Sequence, residues 1–308
     1  NAASGGRNEV IMELCASCIR CVMDRQEERV RGVGTQRQQS DYLRGVAGVI
    51  SQAAPMDSAP VLVDRINRVY EDIFGPAEDY KKIKTEFNGL MLSLVPDLKK
   101  KIEAKEEAER LHAAMLYARA ANYIDFGMAG TVEKETLLSL LDRAAGEQLD
   151  EKTWEAFLSD LEKARSLVYV TDNCGEVVCD RLVIEELSRR FPSLSVTVLV
   201  RGQDALNDAT REDAAQVGLD SVACIADNGC GVAGTPLEYV GEDARKLLEG
   251  ADMILSKGQG NFETMHGCGL NVYYSFLCKC DWFQKRFGME KNRGVFITEK
   301  DAAVVEAG

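Results

Sequence analysis

The chain has 308 residues, 45% of them apolar, and a formal net charge of −13 at pH 7. These values suit one large α/β domain or two modest domains with an ample core, and they exclude compositional disorder. The acidic balance argues against nucleic acid as a main partner, because a phosphate backbone calls for a basic footprint.

No apolar run approaches the ~20 residues needed to span a bilayer. The opening residues, NAASGG, carry no initiator Met, and the N-terminus lacks the basic-then-apolar pattern of a secretory signal. A soluble cytoplasmic protein without a membrane partner is therefore expected; its oligomeric state is left open. The 10 cysteines, spread along a long chain, are expected mostly as reduced thiols rather than a disulfide framework.

Residues 8–166 are expected to form a helical domain. DYLRGVAGVISQAA, APVLVDRINRVYEDIFG, DYKKIKTEFNGLMLSLVPDLKKKI and EEAERLHAAMLYARAANYIDFG each place apolar residues at three- and four-residue spacing. Pro60, Pro76, Pro96 and Gly127 punctuate them. Near the start, Cys15, Cys18 and Cys21 stand at i, i+3 and i+6, within a ~120° sector if that segment is helical. With Cys278 or Cys280 as a fourth ligand they would suit a zinc or iron–sulfur site; buried thiols are the other reading.

Residues 167–308 follow a different pattern. LVYVTDN, SVTVLVR, SVACIAD, ADMILSK and GVFITE are short β-branched runs, most separated by helical stretches such as EVVCDRLVIEELSRRF and GEDARKLLEG. Strands alternating with helices predict βαβ units. The expected architecture is thus α/β, a helical N-terminal half packed on a Rossmann-like, mainly parallel sheet with helices on both faces.

In such sheets ligands bind beyond the C-terminal ends of the strands. The segments found there are TDNCGE, RGQDALND, DNGCGVAGT and KGQGNFE, all polar and glycine-containing. Asp172 and Asn173 offer adjacent oxygen donors, and Asp208 a second carboxylate, as a hard divalent cation requires. Helix capping is the alternative for either aspartate alone. The helix predicted to start near Glu176 offers an anion its free N–H groups and positive dipole end. Lys257 is either a phosphate partner or a solvated strand-end lysine. Asn261 and Glu263 either open the next helix or face the site. No G-x-G-x-x-G follows the first strand, where DNCGE stands instead; no Walker A or G-x-S-x-G motif is present, and His112 and His266 lie outside these loops.

At these loops the sequence resembles the damage-control phosphatases, a family that includes acidic-residue methyltransferase-like proteins and the extra domain of some pantothenate kinases. The resemblance rests on TDNCGEVVCDRLVIEEL (171–187), VRGQDALNDATREDAAQVGL (200–219), DNGCGVAGT (227–235) and SKGQGNFE (256–263), with DYKKIKTEFNGLMLSLVP (79–96) and ANYIDFG (121–127) in the helical half. CASC with KC at 279–280 is similar to a cysteine-bearing microbial subgroup. The resemblance implies metal ligands at Asp172, Asn173 and Asp208 and a phosphate-contacting lysine at Lys257. It also implies hydrolysis of phosphate monoesters, such as sugar phosphates or damaged phosphometabolites, with Mn²⁺, Co²⁺, Ni²⁺ or Mg²⁺. Cys174 departs from the small residue of many relatives.

The expected chemistry is metal-assisted phosphate ester hydrolysis, with Asp172, Asp208 and Lys257 at the reacting centre and one carboxylate as ligand, base or nucleophile. Glu176, Asn261, Asn88 and Asp125, with Lys84 and Asn122, are expected on the substrate side. The rivals are a carboxyl methyltransferase and a cysteine-based metal-binding module.

Overall fold

The structure, a computed structural model, describes residues 14–54, 57–76, 79–123 and 134–306. Among the described residues eight α-helices precede the sheet: α1 (Ala16–Val30), α2 (Gln36–Ser51), α3 (Ala59–Phe74), α4 (Lys81–Leu92), α5 (Val95–Glu103), α6 (Glu107–Ala120), α7 (Lys134–Ala144) and α8 (Glu151–Leu161). Thr35 opens α2 with a reciprocal capping box to Gln38. The segment 79–102 breaks into α4 and α5 beside Pro96, one of the punctuating residues. Pro96 sits in the first turn of α5, where its missing N–H costs nothing to α5 but leaves no donor to continue the α4 ladder.

The second half alternates β1 (Ser166–Val170), α9 (Glu176–Arg190), β2 (Ser195–Val200), α10 (Arg211–Gln216), β3 (Cys224–Asp227), α11 (Glu242–Glu249), β4 (Met253–Lys257), α12 (Gln259–Met265), β5 (Val272–Leu277), α13 (Asp281–Phe287), β6 (Gly294–Thr298) and α14 (Glu299–Glu306). The sheet order is β3-β2-β1-β4-β5-β6. Every neighbouring pair is parallel except β5–β6. The strand order reverses direction between β1 and β4, which is where a doubly wound sheet opens a crevice for ligand.

Alternation along the strands divides the core. Leu167, Tyr169, Val196, Val198, Met253, Leu255 and Phe296 face one side, packed with α4 to α9. Val168, Val170, Leu199, Ile254, Tyr274 and Phe276 face the other, packed with α11 to α14. A smaller cluster of Val22, Tyr42, Val46, Leu62 and Ile66 ties α1, α2 and α3 together. The expected α/β architecture with helices on both faces is thus observed. The sequence reading missed β5. All six residues of VYYSFL are buried, so no polar alternation marks them. No described helix is long and apolar enough to cross a membrane.

Candidate functional site

The loops after β1, β2 and β4 converge at the switch point. Beyond β1 the backbone of residues 172–174 meets the returning loop after β2. Cys174 N–H donates to Asn207 O at 2.8 Å and Ala209 N–H to Asp172 O at 2.8 Å, so Asn173 and Asp208 face each other as an antiparallel bridge pair. Leu206, at φ 51°, takes the left-handed turn that brings Asp208 round. A non-glycine residue rarely adopts that conformation unless its surroundings fix it.

Each of the three has one side-chain oxygen turned away from its protein partners. Asp172 Oδ2 accepts from Asn122 Nδ2 at 2.9 Å and from Asn173 Nδ2 at 2.6 Å. Asp208 Oδ2 accepts from Arg201 Nε at 2.6 Å. Asp172 Oδ1, Asn173 Oδ1 and Asp208 Oδ1 accept no hydrogen bond from the described residues. Three such oxygens on adjacent loop ends are a hard donor set. They fit a divalent cation, and Asp172 and Asn173 remain partly open to solvent. Among the described residues no three His, Cys, Asp or Glu side chains converge on a metal position; this trio contributes two carboxylates and an amide.

The electrostatics favour a cation as well. Burial, then the negative charges of Glu176 and Asp208, push the Asp172 carboxyl up to about 7, against the pull of Lys279 and Arg201. Burial raises Asp208 too, opposed chiefly by Arg201.

The buried residues behind the trio form a saturated frame. Lys257 is fully buried, and Nζ donates to Glu176 Oε1 at 2.6 Å, Asp180 Oδ1 at 2.8 Å and Ala118 O at 3.2 Å. Its three N–H groups are therefore committed, and a phosphate contact would require one of them to be released. Burial disfavours its charge, but Asp180 and Glu176 outweigh this and hold the ammonium above the usual lysine range. Glu176 Oε2 in turn accepts from Asn122 Nδ2 at 2.5 Å and Asn173 Nδ2 at 3.2 Å. Tyr169 donates to Asp180 Oδ1 at 2.6 Å, while Asp180 Oδ2 has no hydrogen-bond partner among the described residues. Arg201 also binds Thr235 Oγ1 at 3.2 Å and Asn261 Oδ1 at 3.0 Å. Asn261 uses its amide N–H groups on Thr171 O at 2.8 Å and Lys257 O at 2.6 Å. Asn261 thus braces the ends of β1 and β4.

The start of α9 differs from the open anion site expected of it. Gly175 N–H donates to Asn88 Oδ1 at 2.6 Å, Glu176 N–H to Cys174 O, Val177 N–H to Asn173 O and Val178 N–H to Gly175 O. Those first donors are consumed within the fold. Asn88 is fully buried, and its amide is spent on Asp213 and Gln216. Lys84 pairs with Asp213 at 2.8 Å. Asp125 falls outside the described residues. Cys174 is buried, which pushes its thiol up to about 12 and keeps it from acting as a thiolate at neutral pH.

The expected cysteine metal site is not assembled among the described residues. Cys15 caps α1 and Cys18 lies in its first turn with Sγ atoms 3.3 Å apart, whereas Cys21, a turn further on, is exposed.

The sequence reading missed Arg201, Asp180 and Tyr169. Arg201 directly follows β2 and Lys257 ends β4, and Asp180 stands four residues after Glu176 on one helix face, a spacing that was available as a signal. Gly258 is a further constraint. It has φ +85°, and a methyl group there would overlap the Asp172 carboxyl. Gly258→Ala is therefore expected to displace Asp172 and weaken divalent ion binding about 10- to 100-fold, with strain of roughly 1–3 kcal/mol. Manganese titration and a thermal melt of the variant check this; parental affinity would count against it.

The sequence matches the Damage-control phosphatase ARMT1-like domain over residues 14–295. It is 30% identical to a damage-control phosphatase of Archaeoglobus fulgidus, over 80% of this chain and 82% of that one. A protein of Methanocaldococcus jannaschii is 27% identical over 95% of this chain and 96% of its own length. The crystal structure of a DUF89 family protein from Pyrococcus horikoshii superposes with a TM-score of 0.80, covering 94% of this chain and 99% of that chain at 21% identity. With family domain, relatives and fold in agreement, the chain belongs to the ARMT1-like damage-control phosphatase family.

Proposed function

We propose that this protein is a metal-dependent phosphoric monoester hydrolase acting on small phosphate esters, sugar phosphates or damaged phosphometabolites. Asp172, Asn173 and Asp208 would hold one divalent ion, with Mn²⁺, Co²⁺, Ni²⁺ and Mg²⁺ as candidates. The observation that carries the reading is the set of three Oδ1 atoms at the sheet's switch point that accept no hydrogen bond from the described residues. Relatives named as damage-control phosphatases support the phosphatase class.

A divalent ion there would supply Lewis acidity toward the phosphoryl oxygens. The chain's own residues prepare its place. Asn122 and Asn173 fix Oδ2 of Asp172 and leave Oδ1 outward. Arg201 does the same for Asp208. Lys257 holds Glu176, whose second oxygen orients the Asn173 amide so that its carbonyl oxygen points away.

Phosphate release from a panel of sugar phosphates and p-nitrophenyl phosphate, in chelator and with each ion restored, tests the reading. Release that persists in chelator, or is absent with every ion, defeats it. A second expectation concerns stability. Manganese at 100-fold over its dissociation constant should stabilise the fold by about 2.7 kcal/mol and raise the melting temperature by roughly 5 °C. A thermal shift series measures this, and the shift should vanish in Asp208→Ala.

A further inference from the structure

No thiol among the 10 cysteines has a role in the arrangement around Asp172. Cys174, Cys179, Cys230 and Cys278 are buried, and burial raises each of their thiols. A thiol held protonated in this way is a poor nucleophile.

Cys15 and Cys18 are different. They open α1 in the segment Cys-Ala-Ser-Cys, and their Sγ atoms are 3.3 Å apart. Both are half-buried, while Ala16 and Ser17 between them are exposed. A disulfide joins Cα atoms about 4.4–6.8 Å apart, a span that residues three apart at a helix start already meet. With a bond length of about 2 Å, closing it moves the two sulfurs together by roughly 1 Å, which side-chain rotation supplies. The surroundings also separate the two sulfurs by role. Burial would raise the Cys15 thiol, but Cys18 and Ser17, through their N–H groups and side chains, outweigh it and hold that thiol below its ordinary value. Burial, then the Cys15 sulfur itself, pushes the Cys18 thiol up, and the charge of Glu263 adds to the rise. One sulfur is thus disposed to attack as a thiolate, and its neighbour is kept protonated in reserve.

We propose that Cys15 and Cys18 form a redox-active dithiol that undergoes thiol–disulfide exchange with small-molecule disulfides. Cys15 Sγ, as thiolate, attacks one sulfur of a disulfide RS–SR, whose S–S bond breaks with the electron pair leaving on RS⁻. Cys18 Sγ then attacks Cys15 Sγ in the mixed disulfide, and its proton goes to the second departing sulfur as RSH. The protein dithiol is oxidised by two electrons, and the small disulfide is reduced to two thiols. Half-burial of both sulfurs favours a compact disulfide over one set in a folded partner. The exchange uses no atom of the ion site, so it stands or falls independently of the hydrolase reading.

The test uses the whole chain, fully reduced and kept in chelator, with mixtures of oxidised and reduced glutathione as the probe and peptide mass spectrometry as the readout. The parent should form the Cys15–Cys18 disulfide without accumulating a mixed disulfide. Cys18→Ser should stop with one glutathionyl group on Cys15. Cys15→Ser should react at Cys18 at least about 10-fold more slowly than the parent reacts at Cys15, because the remaining thiol stays protonated. Iodoacetamide should likewise modify Cys15 of the reduced parent about 10-fold or more faster than Cys18. The proposal is overturned if no Cys15–Cys18 disulfide forms at any glutathione ratio, if the parent stops at the mixed disulfide, or if Cys15→Ser reacts as fast as the parent.

Discussion

Asp172→Ala is expected to lower kcat/KM for any phosphate ester the parent hydrolyses by on the order of a thousandfold, the several kcal/mol a bound ion contributes to charge stabilisation. The reason lies in how the carboxylate is held. Its Oδ2 is spent on two amides, so Oδ1 is the only oxygen it offers an ion, and alanine removes that with no neighbour able to replace it. Glu176, the nearest carboxylate in sequence, is bound at both oxygens.

The same substitution should leave the ion-free fold intact or stabilise it. Asp172 has its carboxyl raised from 3.8 to about 7, so the folded state binds that proton more tightly than the unfolded chain. Its contribution is most favourable below about pH 4 and is lost as pH rises through 7, where the ionised group repels Glu176 and Asp208. At pH 8 the ion-free variant is therefore expected to melt at or above the parent, and saturating Mn²⁺ should reverse the order. Melts of both chains at pH 8, with and without the ion, decide this. A variant that melts far below the ion-free parent would identify Asp172 as a structural residue and remove the argument for an ion site built at the expense of stability.

Much of this arrangement was legible in the sequence because the strand-end rule acts locally. Asp172, Asn173, Asp208 and Lys257 all follow or end β-branched runs, and a parallel sheet delivers such positions to one edge. What each does there was not legible. Whether Lys257 meets a ligand or a carboxylate depends on Asp180, which sits a helix turn past Glu176, and on Ala118 O from α6, far away in sequence. Asn88 and Asn261 likewise carried the right chemistry for substrate contacts, yet long-range partners such as Gln216 and Arg201 absorb their hydrogen-bonding capacity. The strand β5 escaped notice because full burial erases alternation. Sequence reasoning finds polar residues at an edge; pairing, set by tertiary contacts, separates those that face a ligand from those that hold the frame.

Lys257→Met tests that separation with the largest expected effect on stability. The side chain is fully buried between Glu176 and Asp180, both also buried. Removing one partner of a buried charge cluster leaves uncompensated carboxylates and costs about 3–5 kcal/mol, a large share of the roughly 5–15 kcal/mol that holds a protein together. The pH dependence should carry the signature. In the parent, burial raises Asp180 to about 6 while Lys257 chiefly opposes the rise. Without Lys257 the Asp180 carboxyl moves higher, so the folded variant takes up protons that the unfolded chain does not. The deficit should be greatest at pH 8 and shrink toward pH 5, where Asp180 is neutral in the folded variant. Urea denaturation of parent and variant at the two pH values measures it. Equal stability at pH 8, or a deficit that grows in acid, would mean that Lys257 is not the cation that neutralises this cluster.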